Sequence, residues 1–334
     1  MSKVVRFHEL GGPEVLKIED EAAVAPGTGE VQIDVRAIGL NRAEAMFRRG
    51  IYMEQPKLPS RIGYEVSGMV RAVGPGVTEF KAGDAVSTIP GYSQNQYGSY
   101  GEIIIAPVKH VVAKPEALSF EQAAAVWMQY FTAYGALIDI AKFGAGDAVV
   151  ITAASSSVGL AAIQIARQVG ATAIATTRTG AKRTALMEAG AAAVIATEAD
   201  DVPAAIMAAT GGKGARVVFD PVGGPMVDKL AAGMGRDTTG RGTIYFIYGA
   251  LSTEPTPFPT GVSFMTGMSM RAYTLLEIIG DDERFARGKK YVLDGLASGA
   301  FKPVIAKTFE FDRIVEAHQY LESNEQIGKI VVTV

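Results

Sequence analysis

The chain of 334 residues is long enough for two domains of about 150 residues each, and 48% hydrophobic residues supply a core for both. Its 32 basic and 35 acidic residues give a formal net charge of −3 with no block of either sign, which excludes the electrostatic footprint of a nucleic-acid binder. The absence of cysteine excludes disulfides, thiolate nucleophiles and any Cys-ligated zinc site. Met1 to Phe7 lack the apolar stretch of a signal peptide, and no run of about 18 apolar residues occurs, so the expectation is a cytoplasmic protein without a membrane span.

Residues 1 to about 115 read as β-rich. Short alternating runs such as Val31 to Ile38 are separated by turns at Gly11-Gly12-Pro13, Pro26-Gly27, Gly74-Pro75-Gly76 and Ala82-Gly83-Asp84. One helix, Arg42 to Arg49, follows Asn41. At Ser119-Phe120-Glu121-Gln122 the texture changes to a capped helix start, and Trp127-Met128-Gln129-Tyr130 reads as core on a helix. Strands at 148–152, 171–176, 193–195, 215–219 and 243–248 then alternate with helices, which implies a parallel, doubly wound sheet. A Pro/Thr-rich loop spans Glu254 to Pro259, and a helix is expected over Phe285 to Leu296. From Phe301 short strands return around a helix at Asp312 to Leu321, ending in a strand at Lys329 to Val334. This tail has the texture of the first hundred residues, and the expectation is that it packs back on them.

The most informative segment is the strand–turn–helix from Val149 to Ala166. A β-branched run meets a turn of small residues, Ala153 to Gly159, and an apolar helical pattern follows at once. Exposed N–H groups and the helix dipole at such a start bind a dinucleotide pyrophosphate. The three glycines of the usual fingerprint are here Ala153, Ser156 and Gly159, so the pattern is degenerate, and a serine-capped helix start in any α/β protein fits it too. The next strand ends at Thr177-Arg178, about 20 residues past Gly159, where an acid would hold a ribose 2′-hydroxyl and an arginine suits a 2′-phosphate. Arg178 is followed by Lys182 and Arg183, and no acid lies between Thr172 and Met187, which favours NADPH over NADH.

Further markers recur in order along the whole chain: Gly63-Tyr64-Glu65-Val66-Ser67-Gly68, Gly83-Asp84-Ala85-Val86, Gly98-Ser99-Tyr100-Gly101-Glu102, Phe131-Thr132-Ala133-Tyr134, Phe219-Asp220-Pro221-Val222-Gly223-Gly224 and Ile327-Gly328-Lys329-Ile330-Val331. Together they resemble the zinc-independent medium-chain dehydrogenase/reductases of the quinone oxidoreductase branch. The resemblance implies a GroES-like β-rich catalytic domain from residues 1–118 and 299–334, and a Rossmann NADPH-binding domain from 119–298, with a cleft at their junction. It also implies NADPH-dependent two-electron reduction of a small quinone or enone, and a homodimer pairing through Met268 to Leu275.

In zinc-dependent relatives the positions of Asn41 and Tyr64 are Cys and His ligands. Neither ligand remains, and the three histidines, His8, His110 and His318, have no ligand spacing, so no metal is expected. By resemblance Asn41 and Tyr52 line the nicotinamide cleft. The Asn41 amide would then serve the acceptor oxygen, Tyr52 would either donate to it from its phenol or form aromatic wall, and Tyr64 forms wall at the old metal position. For the cofactor the same resemblance implies Phe131 and Thr132 beside the nicotinamide, Ser155, Ser156, Ser157, Val158 and Gly159 at the pyrophosphate, and Thr177, Arg178 and Lys182 at the 2′-phosphate. Gly249 would approach the nicotinamide ribose and Lys329 would reach the cofactor edge. Glu44 and Met46 stand where many quinone reductases carry Asp and Tyr, which loosens the aromatic slot and brings enones forward as substrates. Two other readings share these residues: a catalytically weak NADPH-binding regulatory or structural protein, and a zinc-less alcohol dehydrogenase-like enzyme.

Overall fold

Alternation of apolar and polar residues between Gly/Pro turns produces short strands in the first hundred residues and again at the end of the chain. The computed structural model describes residues 1–334. Its strands, in chain order, are β1 (Ser2–Phe7), β2 (Lys17–Glu21), β3 (Glu30–Gly39), β4 (Ser60–Arg61), β5 (Glu65–Val73), β6 (Ala85–Thr88), β7 (Ile103–Pro107), β8 (Val111–Ala113), β9 (Ala148–Ile151), β10 (Thr172–Thr177), β11 (Ala193–Ala196), β12 (Val217–Asp220), β13 (Ile244–Ile247), β14 (Ser269–Ala272), β15 (Ile305–Glu310) and β16 (Lys329–Thr333). The chain divides into two units, one of Met1–Met128 with Pro303–Val334 and the other of Gln129–Lys302.

In the first unit β2-β1-β4 form a small sheet, and β15-β16-β3-β5-β6-β8 form a larger one, with β7 also pairing β3. The terminal strand β16 pairs antiparallel with β3, Val332 opposite Ile38, so the tail does close the β-rich unit. Val5, Phe7, Ile33, Phe47, Val66, Ile104 and Ile330 are among the side chains that fill its core.

In the second unit β11-β10-β9-β12-β13-β14 form one parallel sheet. Counted from β9 this is the order 3-2-1-4-5-6 of the doubly wound dinucleotide fold. Its central strands are apolar on both faces, as a sheet covered on both sides requires. All five strands expected between 148 and 248 are present, within two residues of the expected ends.

The sequence reading set the domain changes at 118/119 and 298/299. In the structure the first unit runs on to Met128, because the chain after Ser119 lies on β3 and β5: Ser67 Oγ donates to the Phe120 carbonyl, and Gly39, lacking a Cβ, admits the Ala124 carbonyl. Residues 299–302 stay with the second unit, where Phe301 stacks on Tyr130 at 4.8 Å and Gln164 exchanges hydrogen bonds with the Lys302 backbone. The capped start at Ser119 forms a complete capping box with Gln122, but that helix ends at Ala123. A new helix, Trp127–Tyr134, begins where Glu65 takes its first N–H groups.

Candidate functional site

The candidate residues fall on both units. In the second unit β9 ends at Ile151 and the helix Ser157–Gln168 starts six residues later. Ala153 bridges the two in the left-handed region, φ +45°, a conformation that glycine reaches without strain and alanine does not. Ser156 is the N-cap, with φ −67° and its Oγ accepting from the Gly159 N–H at 3.1 Å, so a serine in place of the second glycine costs no backbone strain. A Cβ on Gly159 would lie 2.5 Å from the Ala154 carbonyl oxygen, so glycine there sets the close approach of the helix to the turn that precedes it. Helix geometry leaves the N–H groups of Ser157 and Val158 without intrahelical acceptors. The Lys182 ammonium lies at this turn, donating to Ser155 Oγ at 3.1 Å. Thr177 closes β10, and Arg178 follows it, exposed. The turn thus gathers small side chains, orphan N–H donors and fixed positive charge, a set that fits a dinucleotide phosphate.

The other cofactor candidates are placed differently. Phe131 is fully buried, its ring 5.6 Å from that of Phe285 and 6.1 Å from that of Tyr134, so the side chain packs the helix layer, and Thr132 beside it is 6% exposed. Gly249 follows β13, where a Cβ would meet the Pro221 carbonyl oxygen at 2.7 Å. The turn beyond β12 is held by Asp220, unremarked as a site residue in the sequence. Its buried carboxylate accepts from Thr152 Oγ1, from the Tyr245 hydroxyl at 2.9 Å and from the N–H groups of Val222 and Gly223.

In the first unit the candidates converge on a buried polar network. Lys329, 1% exposed, donates to Asn41 Oδ1 at 2.5 Å and to Glu65 Oε2 at 2.6 Å. Lysine only donates, so it fixes the amide with its oxygen toward Nζ. Both N–H groups of Asn41 are then spent, one on the Gly39 carbonyl and one on Glu44 Oε1, each at 3.1 Å. Glu65 Oε1 receives the N–H groups of Val126, Trp127 and Met128, anchoring the strand to the helix start at 127. Both Asn41 N–H groups are thus engaged within the network, and Lys329 is bonded to Asn41 and Glu65.

Glu44 and Glu65 are the site residues that sequence reasoning missed. The available signal was a charge inside each of two apolar strands, Glu65 in β5 and Lys329 in β16, since such charges persist only in pairs. Glu44 is fully buried; burial raises its carboxyl to about 7, against the opposing pull of Lys329. Its Oε2 is buried without a partner.

Tyr52, Tyr64 and Tyr92 form an edge-to-face series, with ring centroids 6.4 Å apart for the first pair and 5.7 Å for the second. Tyr64 is 5% exposed and Tyr52 half-buried. Burial, then the neighbouring Tyr52 phenol, pushes Tyr64 far above the ordinary phenol range, and burial also raises Tyr52. Both therefore present neutral phenols.

No group of three or more His, Cys, Asp or Glu side chains could hold a metal ion. His8 pairs with Glu19, His110 faces the Ile89 carbonyl, and His318 sits against Arg48. The amide of Asn41 and the phenol of Tyr64 do not fit zinc. No helix is long and apolar enough to cross a membrane.

Two family models match: an alcohol dehydrogenase GroES-like domain over residues 27–116 and a zinc-binding dehydrogenase domain over 157–286. The human quinone oxidoreductase is 31% identical over 334 residues, covering 99% of this chain and 98% of that protein. An NAD-dependent alcohol dehydrogenase superposes with a TM-score of 0.90 at 30% identity over 99% of both chains. An Escherichia coli quinone oxidoreductase complexed with NADPH does so with a TM-score of 0.88 at 29% identity, covering 99% of this chain and all (100%) of that one. A GroES-like β unit, a parallel sheet in dinucleotide-binding order and full-length relatives agree: the chain belongs to the medium-chain dehydrogenase/reductase family, with quinone oxidoreductases among its relatives.

Proposed function

We propose that this chain is an NADPH-dependent reductase that delivers hydride to small quinones or α,β-unsaturated carbonyl compounds without a metal. The observation that carries the reading is the phosphate turn, where Lys182 is pinned to Ser155 and Arg178 follows the end of the neighbouring strand. Positive charge with no acid in sequence between Thr172 and Met187 suits a 2′-phosphate, and the relative crystallised with NADPH supports that choice.

When bound, NADPH supplies the hydride; the chain positions the reactants and handles protons. Ser155, Ser156, Ser157, Val158 and Gly159 hold the pyrophosphate at the helix start, and Thr177, Arg178 and Lys182 take the 2′-phosphate. Gly249, Phe131 and Thr132 shape the nicotinamide end. Tyr52 and Tyr64 give the acceptor an aromatic wall, and Asn41 with Lys329 keeps that wall in register with β5. Met46, where many quinone reductases carry tyrosine, removes an aromatic ring from that slot and suits an enone as well as a quinone. β14 ends the six-stranded order with one edge unpaired, which supports a homodimer formed through that strand.

The test is oxidation of NADPH and NADH, followed by loss of nicotinamide absorbance, with a benzoquinone, an ortho-quinone, a 2-enal, a cyclic enone and a simple ketone. The expected result is turnover with NADPH on a quinone or conjugated alkene, and little on the ketone. Tight NADPH binding with no turnover would replace this reading with that of a regulatory or structural NADPH-binding protein.

A further inference from the structure

Residues 50–59 carry Tyr52 from the helix Arg42–Arg48 to β4 with no helix or strand of their own. Burial alternates along them: Tyr52, Glu54 and Pro56 are half-buried, while Ile51, Met53, Gln55 and Lys57 are exposed. An extended chain places alternate side chains on one side, so Tyr52 and Glu54 face the protein together. Ile51, Met53 and Leu58 stay largely in water, so apolar burial gives this segment little hold.

The hold is polar. The Glu54 carboxylate reaches the start of the helix Gln94–Tyr97. Its Oε1 accepts from the Ser93 hydroxyl and from Asn95 Nδ2 at 2.9 Å, and its Oε2 accepts from the Gln94 N–H at 2.9 Å. Asn95 extends the seam, donating to the Gln55 carbonyl at 3.0 Å and accepting from the Lys57 N–H at 2.7 Å. Gln55 Nε2 in turn donates to the Tyr52 carbonyl at 2.8 Å. Five hydrogen bonds thus join 52–57 to 93–95, across 38 to 41 positions of sequence.

The two joined segments lead to the two ends of the aromatic series. At one end the Tyr92 hydroxyl donates to the Tyr64 carbonyl, and the Tyr92 ring meets those of Tyr97 and His110 edge-on at 6.1 and 5.4 Å. At the other end the Tyr52 ring meets Tyr64 at 6.4 Å, two residues before Glu54.

We propose that Glu54 is the latch of the acceptor wall: its carboxylate clamps residues 52–57 onto 93–95, holds the Tyr52 ring against Tyr64, and so sets how tightly a quinone or enone is gripped. The proposal rests on the reductase reading and adds to it a determinant of acceptor binding. Glu54 acts through Tyr52 and is a positioning residue. A carboxylate suits the place because the three groups it meets are all donors, and hydrogen bonds to a charged acceptor are the strong ones. Glutamine would turn N–H groups toward one of those donors, and alanine would remove both acceptor oxygens.

Hydrogen–deuterium exchange and steady-state kinetics test the latch. In Glu54→Ala the amides of Lys57 and Gln94 should exchange at least about tenfold faster than in the wild type, with those of β5 and β9 unchanged. Its KM for a benzoquinone and for a cyclic enone should rise at least about tenfold, with kcat lowered less and NADPH affinity, measured by calorimetry, kept. Glu54→Gln, which keeps one acceptor oxygen, should fall between the two, and it decides the outcome if the alanine variant does not fold. Tyr52 separates a latch from a merely structural role: in a Tyr52→Ala background, Glu54→Ala should change KM by less than about twofold, since the ring it holds is gone. Unchanged exchange at Lys57 and Gln94, KM effects that multiply in the double variant, or an equal loss of NADPH affinity overturns the proposal. If the wild type reduces no acceptor, the reductase reading falls and the acceptor role with it, while the exchange data still show whether Glu54 clamps the segment, so the two failures are told apart.

Discussion

Replacing Lys329 by methionine tests whether the buried network holds the first unit together. Lys329 and Glu65 are 1% and 0% exposed, and their ion pair is 2.6 Å long. Methionine keeps most of the volume and removes the ammonium, so the loss is electrostatic and not a cavity. Breaking a buried pair from one side costs about 3–5 kcal/mol, because the remaining charge stays desolvated. Glu65 would still receive the three N–H groups at Val126, Trp127 and Met128 and the favourable end of the helix dipole, which places the loss near the lower limit, about 3 kcal/mol. For a unit of this size that lowers Tm by about 6–12 °C. Trp127 is the sole tryptophan, 1% exposed, in the same unit; its backbone N–H donates to Glu65 Oε1 and its indole N–H to Ser87 Oγ, so its fluorescence reports the relevant transition. The double variant Glu65→Gln/Lys329→Met, which leaves no stranded charge, should regain at least half of the loss. A fall in Tm below about 2 °C, or a double variant no better than the single one, would refute the assignment of this pair as a structural anchor.

Three other outcomes follow from the structure. Arg178→Ala should weaken NADPH binding at least about tenfold, the equivalent of 1.4 kcal/mol, and spare NADH; calorimetric titration showing equal losses would remove Arg178 from the 2′-phosphate site. Ala153→Gly relieves a left-handed alanine at φ +45° and should raise the stability of the second unit by about 0.5–1 kcal/mol in denaturant titrations, whereas a loss would mean that the alanine methyl packs productively there. His318 is buried neutral, its pKa lowered to about 3 first by burial and then by Arg48, so below 6.5 the unfolded chain gains a proton that the folded chain refuses, and stability falls with acid by about 1.4 kcal/mol per pH unit. His318→Gln should abolish that slope between about pH 6.5 and 4.5, and an unchanged slope in urea titrations would contradict the neutral assignment.

The parts of the molecule that were legible in the sequence are those written in local pattern. The alternation of strand and helix between 148 and 248 gave the sheet its strands, and the texture of the tail foretold its pairing with β3. The small-residue turn at Ser155 to Gly159 and the basic end of β10 were visible because such features are local: one turn, one helix start, one strand end. The domain change at Met128 was not visible, because a capping box at Ser119 marks a helix start and says nothing of which sheet the helix lies on.

The buried network could not be read for a stricter reason. Lys329 meets Asn41 across 288 positions and Glu65 across 264, and nothing within a window around any of the three encodes those meetings. Taken singly, Asn41 reads as a donor and Lys329 as a cation free for the cofactor. In the structure the lysine is bonded to the Asn41 oxygen and to Glu65, and the Asn41 N–H groups to Gly39 and Glu44. What remains is Glu44, the member whose second oxygen goes unmatched. The Asn41 amide thus joins a lysine and two carboxyls, with one ammonium among them. One ammonium balances one carboxylate, and burial raises the second carboxyl, that of Glu44, to about 7.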